Sequence, residues 1–230
     1  MKIAITSIQH IGKRKTQQDR LWHPAEAECS SEVAGGVLAL VADGMGGMAN
    51  GEEAAQKAIT VFVETWQNQA LDTPVTDLLD TALTEANRAV FEYSREINEM
   101  GNCGTTLIAA VVSGNDLQWI SVGDSRLYLF RQGELIQLST DHNDGYYLTS
   151  YVGAREPDEI DKSEKPFPLE SGDWLLLCSD GLHGFLNDME ITTSLHGSPA
   201  EAMERVLARI LALEHPHQDN VTFIILTALD

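Results

Sequence analysis

The run Gly36–Ala42, GVLALVA, contains no polar side chain. Side chains of a strand alternate between its two faces, so a run that is apolar at every position is covered on both. The segment therefore reads as a central strand, and flanking layers are expected from the rest of the chain.

Lys2–Ser7 reads as a second strand. From Glu52 to about Gln69 the pattern is helical, with Ala55, Ala58, Ile59, Phe62 and Trp66 on one stripe. A further helix is punctuated by Thr73 as N-cap, Pro74 at its first position and Gly101 beyond its end. From Gly104 the periodicity becomes that of strands. Thr105–Val112, Leu117–Val122, Arg126–Arg131 and Glu134–Leu138 follow one another across Ser113-Gly114-Asn115-Asp116 and Gln132-Gly133 turns, in the order of an antiparallel meander. Trp174–Cys178 is another buried strand, Asn187 and Ser198-Pro199 open two helices, and Val221–Leu226 is a last strand. This order predicts an α+β fold of antiparallel sheets flanked by helices. First and last strands sharing one core make residues 1–230 a single domain.

A hydrophobic share of 43% in 230 residues supplies such a core. No apolar run reaches the roughly 18–20 residues of a membrane span. Residues 1–19 lack the continuous apolar region of a secretory signal, so the expected address is the cytoplasm, with no membrane partner. Cys29, Cys103 and Cys178 are far apart and include no CxxC pair, which fits neither a disulfide framework nor a zinc site. Fifteen Lys and Arg against 35 Asp and Glu give a net charge of −20. That charge argues against nucleic acid as a partner. It suits a chain that gathers divalent cations, and equally a solvated acidic surface.

Four segments place an aspartate beside an apolar strand and next to a small or amide residue: Ala42-Asp43-Gly44-Met45, Gly123-Asp124-Ser125-Arg126, Ser179-Asp180-Gly181 and Gln218-Asp219-Asn220. Each alone also reads as a turn or a cap. Together they put several carboxylates where a sheet core meets its rim, and desolvation there is costly without a cation. A glycine after the aspartate lets the main chain approach such an ion, so that its carbonyl can serve as a ligand. Oxygen donors without nearby His or Cys point to Mg2+ or Mn2+. Arg14, in GKRKTQQD, is the candidate cation for a phosphate, and equally part of a surface basic cluster. The histidines, His142, His183, His215 and His217 among them, show no metal-ligand spacing and read as core or surface residues.

The segments GKRKTQQD, VADGMGGMANGEEAA, CGTTL, VGDSRLYL, STDH, LTSYVG, LLLCSDGL and QDNVTFIIL occur in that order from residue 12 to 227. In this the chain closely resembles the bacterial branch of the metal-dependent PPM/PP2C-type serine/threonine protein phosphatases. The resemblance implies a central β-sandwich with helices on both faces and a centre of two Mn2+ or Mg2+ ions. Position by position it implies that Asp43 bridges the ions, Gly44 adds its carbonyl oxygen, and Asp180 and Asp219 complete the set. Asp19 would hold a water, Arg14 would grip the phosphate, and Asp124 would contact a third, weaker ion. It gives Thr105 and Thr106 a structural role. Gln17 stands where the family usually has Asn, and Met45 leaves the proton donor unassigned. The helical flap of relatives is reduced to Asn143–Tyr147.

The activity implied is direct hydrolysis of phosphoserine and phosphothreonine in proteins, by a water held between two ions and without a covalent intermediate. No Cys lies in a phosphate-cradling loop, which argues against a thiol nucleophile. The implied substrates are phosphoproteins made by an opposing serine/threonine kinase, and a monomer is expected. Two alternatives stand beside this: a metal phosphoesterase for small phosphorylated molecules, and a non-catalytic module that keeps the fold.

Overall fold

A computed structural model describes residues 1–25, 28–31, 36–45, 50–68 and 73–230. In chain order the strands are β1 (Lys2–His10), β2 (Arg20–Trp22), β3 (Glu28–Ser30) and β4 (Val37–Ala42), followed by α1 (Gly51–Gln67) and α2 (Val75–Glu96). Then come β5 (Leu107–Ser113), β6 (Asp116–Val122), β7 (Arg126–Arg131), β8 (Glu134–Gln137), β9 (Asp161–Lys162), β10 (Phe167–Pro168) and β11 (Trp174–Cys178). The short helix α3 (Asp180–His183), α4 (Asp188–Ser194), α5 (Pro199–Ala212) and β12 (Val221–Leu229) complete the order.

Two sheets form, one in the order β3-β1-β12-β11-β7-β8 and the other β10-β6-β5-β4-β2, with β9 beside β6. Every pairing is antiparallel. The period of two in β4 explains the layering. Val37, Ala39 and Val41 face Ile108, Leu127, Leu177 and Ile224 between the sheets. Leu38, Leu40 and Ala42 face the other way, onto Ala55, Ala58, Phe62 and Leu83 of α1 and α2. On the far side, Leu176, Phe223 and Ile225 meet Met203, Val206 and Ile210 of α5. The result is a helix–sheet–sheet–helix sandwich in which β4 is covered on both faces, as GVLALVA predicts, and β1 pairs with β12 over its whole length.

Three details differ from the sequence reading. The expected meander is split: β5 and β6 lie in one sheet, β7 and β8 in the other. Gly123 makes the break. Its φ is +100°, and a Cβ there would stand 2.7 Å from Thr106 Cγ2, so the chain turns sharply between the layers. Pro74 is the cap of α2, not its first helical residue. It is extended, with ψ at 141°, while its carbonyl accepts from Leu78 N–H at 3.0 Å. The α1 helix ends at Gln67, and residue 69 lies outside the described residues. Asn187 and Ser198, by contrast, cap α4 and α5 in full capping boxes.

Candidate active site

Strand ends from both sheets meet at one end of the sandwich and deliver the aspartates to a cavity of about 810 Å3. Asp43 follows β4 directly. Its backbone N–H donates to Thr106 Oγ1 at 2.9 Å, and its carbonyl accepts from Thr105 Oγ1 at 2.8 Å and from Thr106 N–H at 2.9 Å. Both threonines thus act on the Asp43 backbone and leave its carboxylate to the cavity. Gly44 packs so closely on the start of α1 that a Cβ would stand 2.2 Å from the Gly51 carbonyl oxygen. Asp180 opens α3 where the chain leaves β11, and Asp219 lies in the loop before β12. Asp124 sits at the crossing between the sheets. Arg14, Asp43, Asp124, Asp180 and Asp219 all line the cavity.

Asp19 stands behind this group and is only 1% exposed. Ser179 Oγ donates to its Oδ2 at 2.8 Å, and its own backbone N–H donates to Gln17 Oε1 at 3.1 Å. Gln17 therefore makes a local side-chain turn around Asp19. Asp43 comes within hydrogen-bonding reach of both Asp19 and Asp180. Burial pushes the Asp19 carboxyl up to about 6 and, with Asp124 and Asp219 nearby, the Asp180 carboxyl up to about 7. Asp43 is raised well above the usual range by burial and then by Asp19, Asp180 and Asp219. Burial, then the charge of Asp141, raises Asp124 as well.

These are the marks of a cation site. Oδ1 of Asp180 is buried and has no hydrogen-bond partner among the described residues, a costly state for a carboxylate oxygen. Among the described residues no three His, Cys, Asp or Glu side chains close into a finished cage. The carboxylates instead edge an open hollow, and a hard divalent ion between them would relieve both the orphaned oxygen and the mutual repulsion. The donor set fits Mn2+ or Mg2+.

Arg14 reaches the same hollow, donating from Nη2 to Asp219 Oδ2 at 2.5 Å. The structure thus brings all the expected residues to one end of the sandwich, with Asp19 buried behind the residues that line the cavity.

Several supporting residues escaped the sequence reading. Asn220 accepts from Gln18 N–H at 2.7 Å and donates to the Ile11 and Thr16 carbonyls, tying the Arg14 loop to Asp219. Ser179 also accepts from Thr222 N–H at 3.1 Å. His183 donates from Nε2 to the Asp124 carbonyl at 3.0 Å, while His142 Nδ1 accepts from Gly123 N–H at 3.1 Å. The two histidines hold the turn that carries Asp124. The only signal for any of these was adjacency to an aspartate motif.

The protein phosphatase 2C family model matches residues 8–220. The chain belongs to the protein phosphatase 2C family. It is 33% identical over 221 residues to the serine/threonine protein phosphatase PstP of Mycobacterium tuberculosis, covering 87% of this chain and 42% of that protein. The chain thus spans less than half the length of that curated relative. The serine/threonine phosphatase stp of Listeria monocytogenes is 27% identical over 209 residues, covering 82% of this chain and 83% of that one. A solved catalytic domain of PstP in complex with two manganese ions superimposes with a TM-score of 0.81 at 28% identity, covering 100% of this chain and 99% of that one. Asp124 and Asp180 share one end because β7 and β11 pair antiparallel with Arg126 opposite Cys178.

Proposed function

We propose that this chain is a metal-dependent phosphatase that hydrolyses phosphoserine and phosphothreonine in proteins. The observation that carries the reading is the convergence of Asp43, Asp180 and Asp219 on one hollow, with a buried Asp180 oxygen left unpartnered. The names of its relatives and the two manganese ions of the PstP catalytic domain support it.

In this reading Asp43, the Gly44 carbonyl, Asp180 and Asp219 would hold two Mn2+ or Mg2+ ions, and Asp124 would contact a third, weaker one. When bound, such ions supply Lewis-acid polarisation and make water nucleophilic at neutral pH. The chain's own groups do the positioning. Asp19, fixed by the Ser179 hydroxyl, accepts a hydrogen bond from the attacking water and orients it. Arg14 turns from Asp219 to the phosphate and binds two of its oxygens with the planar guanidinium. Cys103 and Cys178 take no part: both are buried, and burial raises their thiols.

The substrates inferred are phosphoproteins produced by a serine/threonine kinase that this chain opposes in signalling. We place it in the cytoplasm as a monomer, with residues 1–230 acting as one catalytic domain. No helix among the described residues is long and apolar enough to cross a membrane. Hydrolysis of a phosphothreonine peptide is the test. Turnover is lost on adding EDTA and returns with Mn2+; full turnover in chelator contradicts the reading.

A further inference from the structure

Tyr146 and Tyr147 are 90% and 78% exposed, yet the turn that carries them is well built. Asn143 and Leu148 pair as antiparallel partners. Asp144 N–H donates to the Tyr147 carbonyl at 3.0 Å, and Asp144 Oδ1 accepts from the backbone N–H groups of Tyr146 at 2.9 Å and Tyr147 at 2.8 Å. Asparagine at the root of the turn ties it to the centre, since Asn143 Nδ2 donates to Asp124 Oδ2 at 3.4 Å. The backbone that carries the two aromatic side chains is thus held in place, and both tyrosines line the cavity that Asp43, Asp180 and Asp219 also line.

The electrical surroundings say what such rings suit. Among the described residues that line the cavity Arg14 is the one cation, and it is paired with Asp219; the aspartates there are the ones assigned to the divalent ions, so the charge that faces the rings comes from the turn and its neighbours. The Asp144 carboxylate accepts from the backbone of both tyrosines, and these donors favour its ionised form. Glu159, accepting from the Thr149 hydroxyl at 2.7 Å, adds a further carboxylate just past the turn. Among the described residues, the Lys and Arg side chains that stand over aromatic rings use Tyr93, Tyr128 and Phe167, not Tyr146 or Tyr147. A cation brought to these two rings meets their negative faces together with Asp144 and Glu159, carboxylates outside the set assigned to the divalent ions, in the field of a chain of net charge −20. At an exposed site each ring contributes roughly two- to five-fold in affinity. An acidic side chain there meets only repulsion.

We propose that Tyr146 and Tyr147 form a subsite for a Lys or Arg side chain flanking the phosphorylated residue of a peptide substrate. The inference rests on the phosphatase reading above and adds the selector to it. The phosphate goes to the Arg14 end of the cavity, and the neighbouring basic side chain lies across the turn.

Matched phosphothreonine peptides carrying Arg, Leu or Glu at one flanking position at a time provide the test. Their kcat/KM values are compared on the Mn2+-loaded wild type, on Tyr146→Ala/Tyr147→Ala and on Tyr146→Phe/Tyr147→Phe. Alanine keeps both backbone donors of the turn, and melting temperatures report whether each variant folds. The alanine pair is expected to lower the Arg-over-Leu ratio by roughly 4- to 25-fold, mainly through KM, and the phenylalanine pair to retain it because the ring faces remain. At about 1 M salt the Debye length falls to about 3 Å, so the long-range pull of the acidic surface fades while this contact effect persists. An unchanged ratio in the alanine pair overturns the proposal. So does an equal loss for the Leu peptide, which would make the rings an apolar platform. A wild type that hydrolyses neither these peptides nor p-nitrophenyl phosphate overturns the phosphatase reading itself, and the subsite with it.

Discussion

Arg14 is 42% exposed at the edge of the cavity and holds Asp219 at 2.5 Å. Replacing it with alanine removes the one cationic side chain among the described residues that line that cavity. Hydrogen bonds to charged groups are worth about 1.5–3 kcal/mol, so kcat/KM for a phosphothreonine peptide should fall roughly 10- to 100-fold, chiefly through KM. Arg14→Lys should recover part of this, because a point charge cannot make the planar fork. Wild-type kinetics for Arg14→Ala would make the residue a surface charge. The carboxylates give a second residue-scale expectation. Unfolded Asp titrates near 3.9, whereas the folded chain raises Asp19 to about 6 and Asp180 to about 7. Between about pH 4 and 7 the folded, metal-free chain therefore holds protons that the unfolded chain has lost. The stability these groups contribute is full below about pH 4 and is lost as the pH rises through 6 and 7. His183, lowered to about 4 mainly by burial, acts in the opposite sense, but it is one group against Asp19, Asp180 and Asp43. Chelator-stripped protein should melt lower at pH 8 than at pH 5.5, and Mn2+ should raise the melting temperature more at pH 8. A stripped protein that is more stable at pH 8 than at pH 5.5 contradicts the cited shifts.

At the scale of elements, the contact between the Asp43-Gly44 turn and the start of α1 is a tight constraint on the site. A methyl group at Gly44 would meet backbone atoms of Gly51 and Gln18 at 2.2–2.8 Å, and these have no rotamer to change. Gly44→Ala should cost about 1–3 kcal/mol of stability by overpacking, read as a lower melting temperature, and should weaken Mn2+ binding as Asp43 shifts. Unaltered melting and Mn2+ affinity would mean that the turn yields freely. The elements were legible in the sequence to the degree that one local pattern governed them. β4 and β11 follow from unbroken apolar runs, β7 from the Gln132-Gly133 turn that ends it, and α4 and α5 from their capping residues. The sheet assignment of β7 and β8 was not legible, because a hairpin pattern is the same in either layer and the switch depends on one positive φ at Gly123. The aspartates were visible because each stands at the end of a strand or helix. Ser179, Asn220 and His183 were hidden because their partners lie 160, 202 and 59 residues away in sequence, and only the fold brings them together.

For the molecule as a whole, the sandwich brings to one rim strand ends that are far apart in the chain, and the net charge of −20 surrounds that rim with a field that attracts cations. Each carboxylate taken alone would be an ordinary turn residue. Held together by β4, β11 and β12, they share a desolvation cost that a divalent ion removes. The central claim is therefore about ion binding, and calorimetric titration of Mn2+ into chelator-stripped protein tests it most directly. The wild type should take up two equivalents, and Asp124→Ala should still do so. Asp43→Asn should abolish the high-affinity heat, and Asp180→Asn or Asp219→Asn should remove at least one equivalent, with the fold retained in each by circular dichroism. An isotherm indistinguishable from wild type in Asp43→Asn and Asp180→Asn would contradict the account.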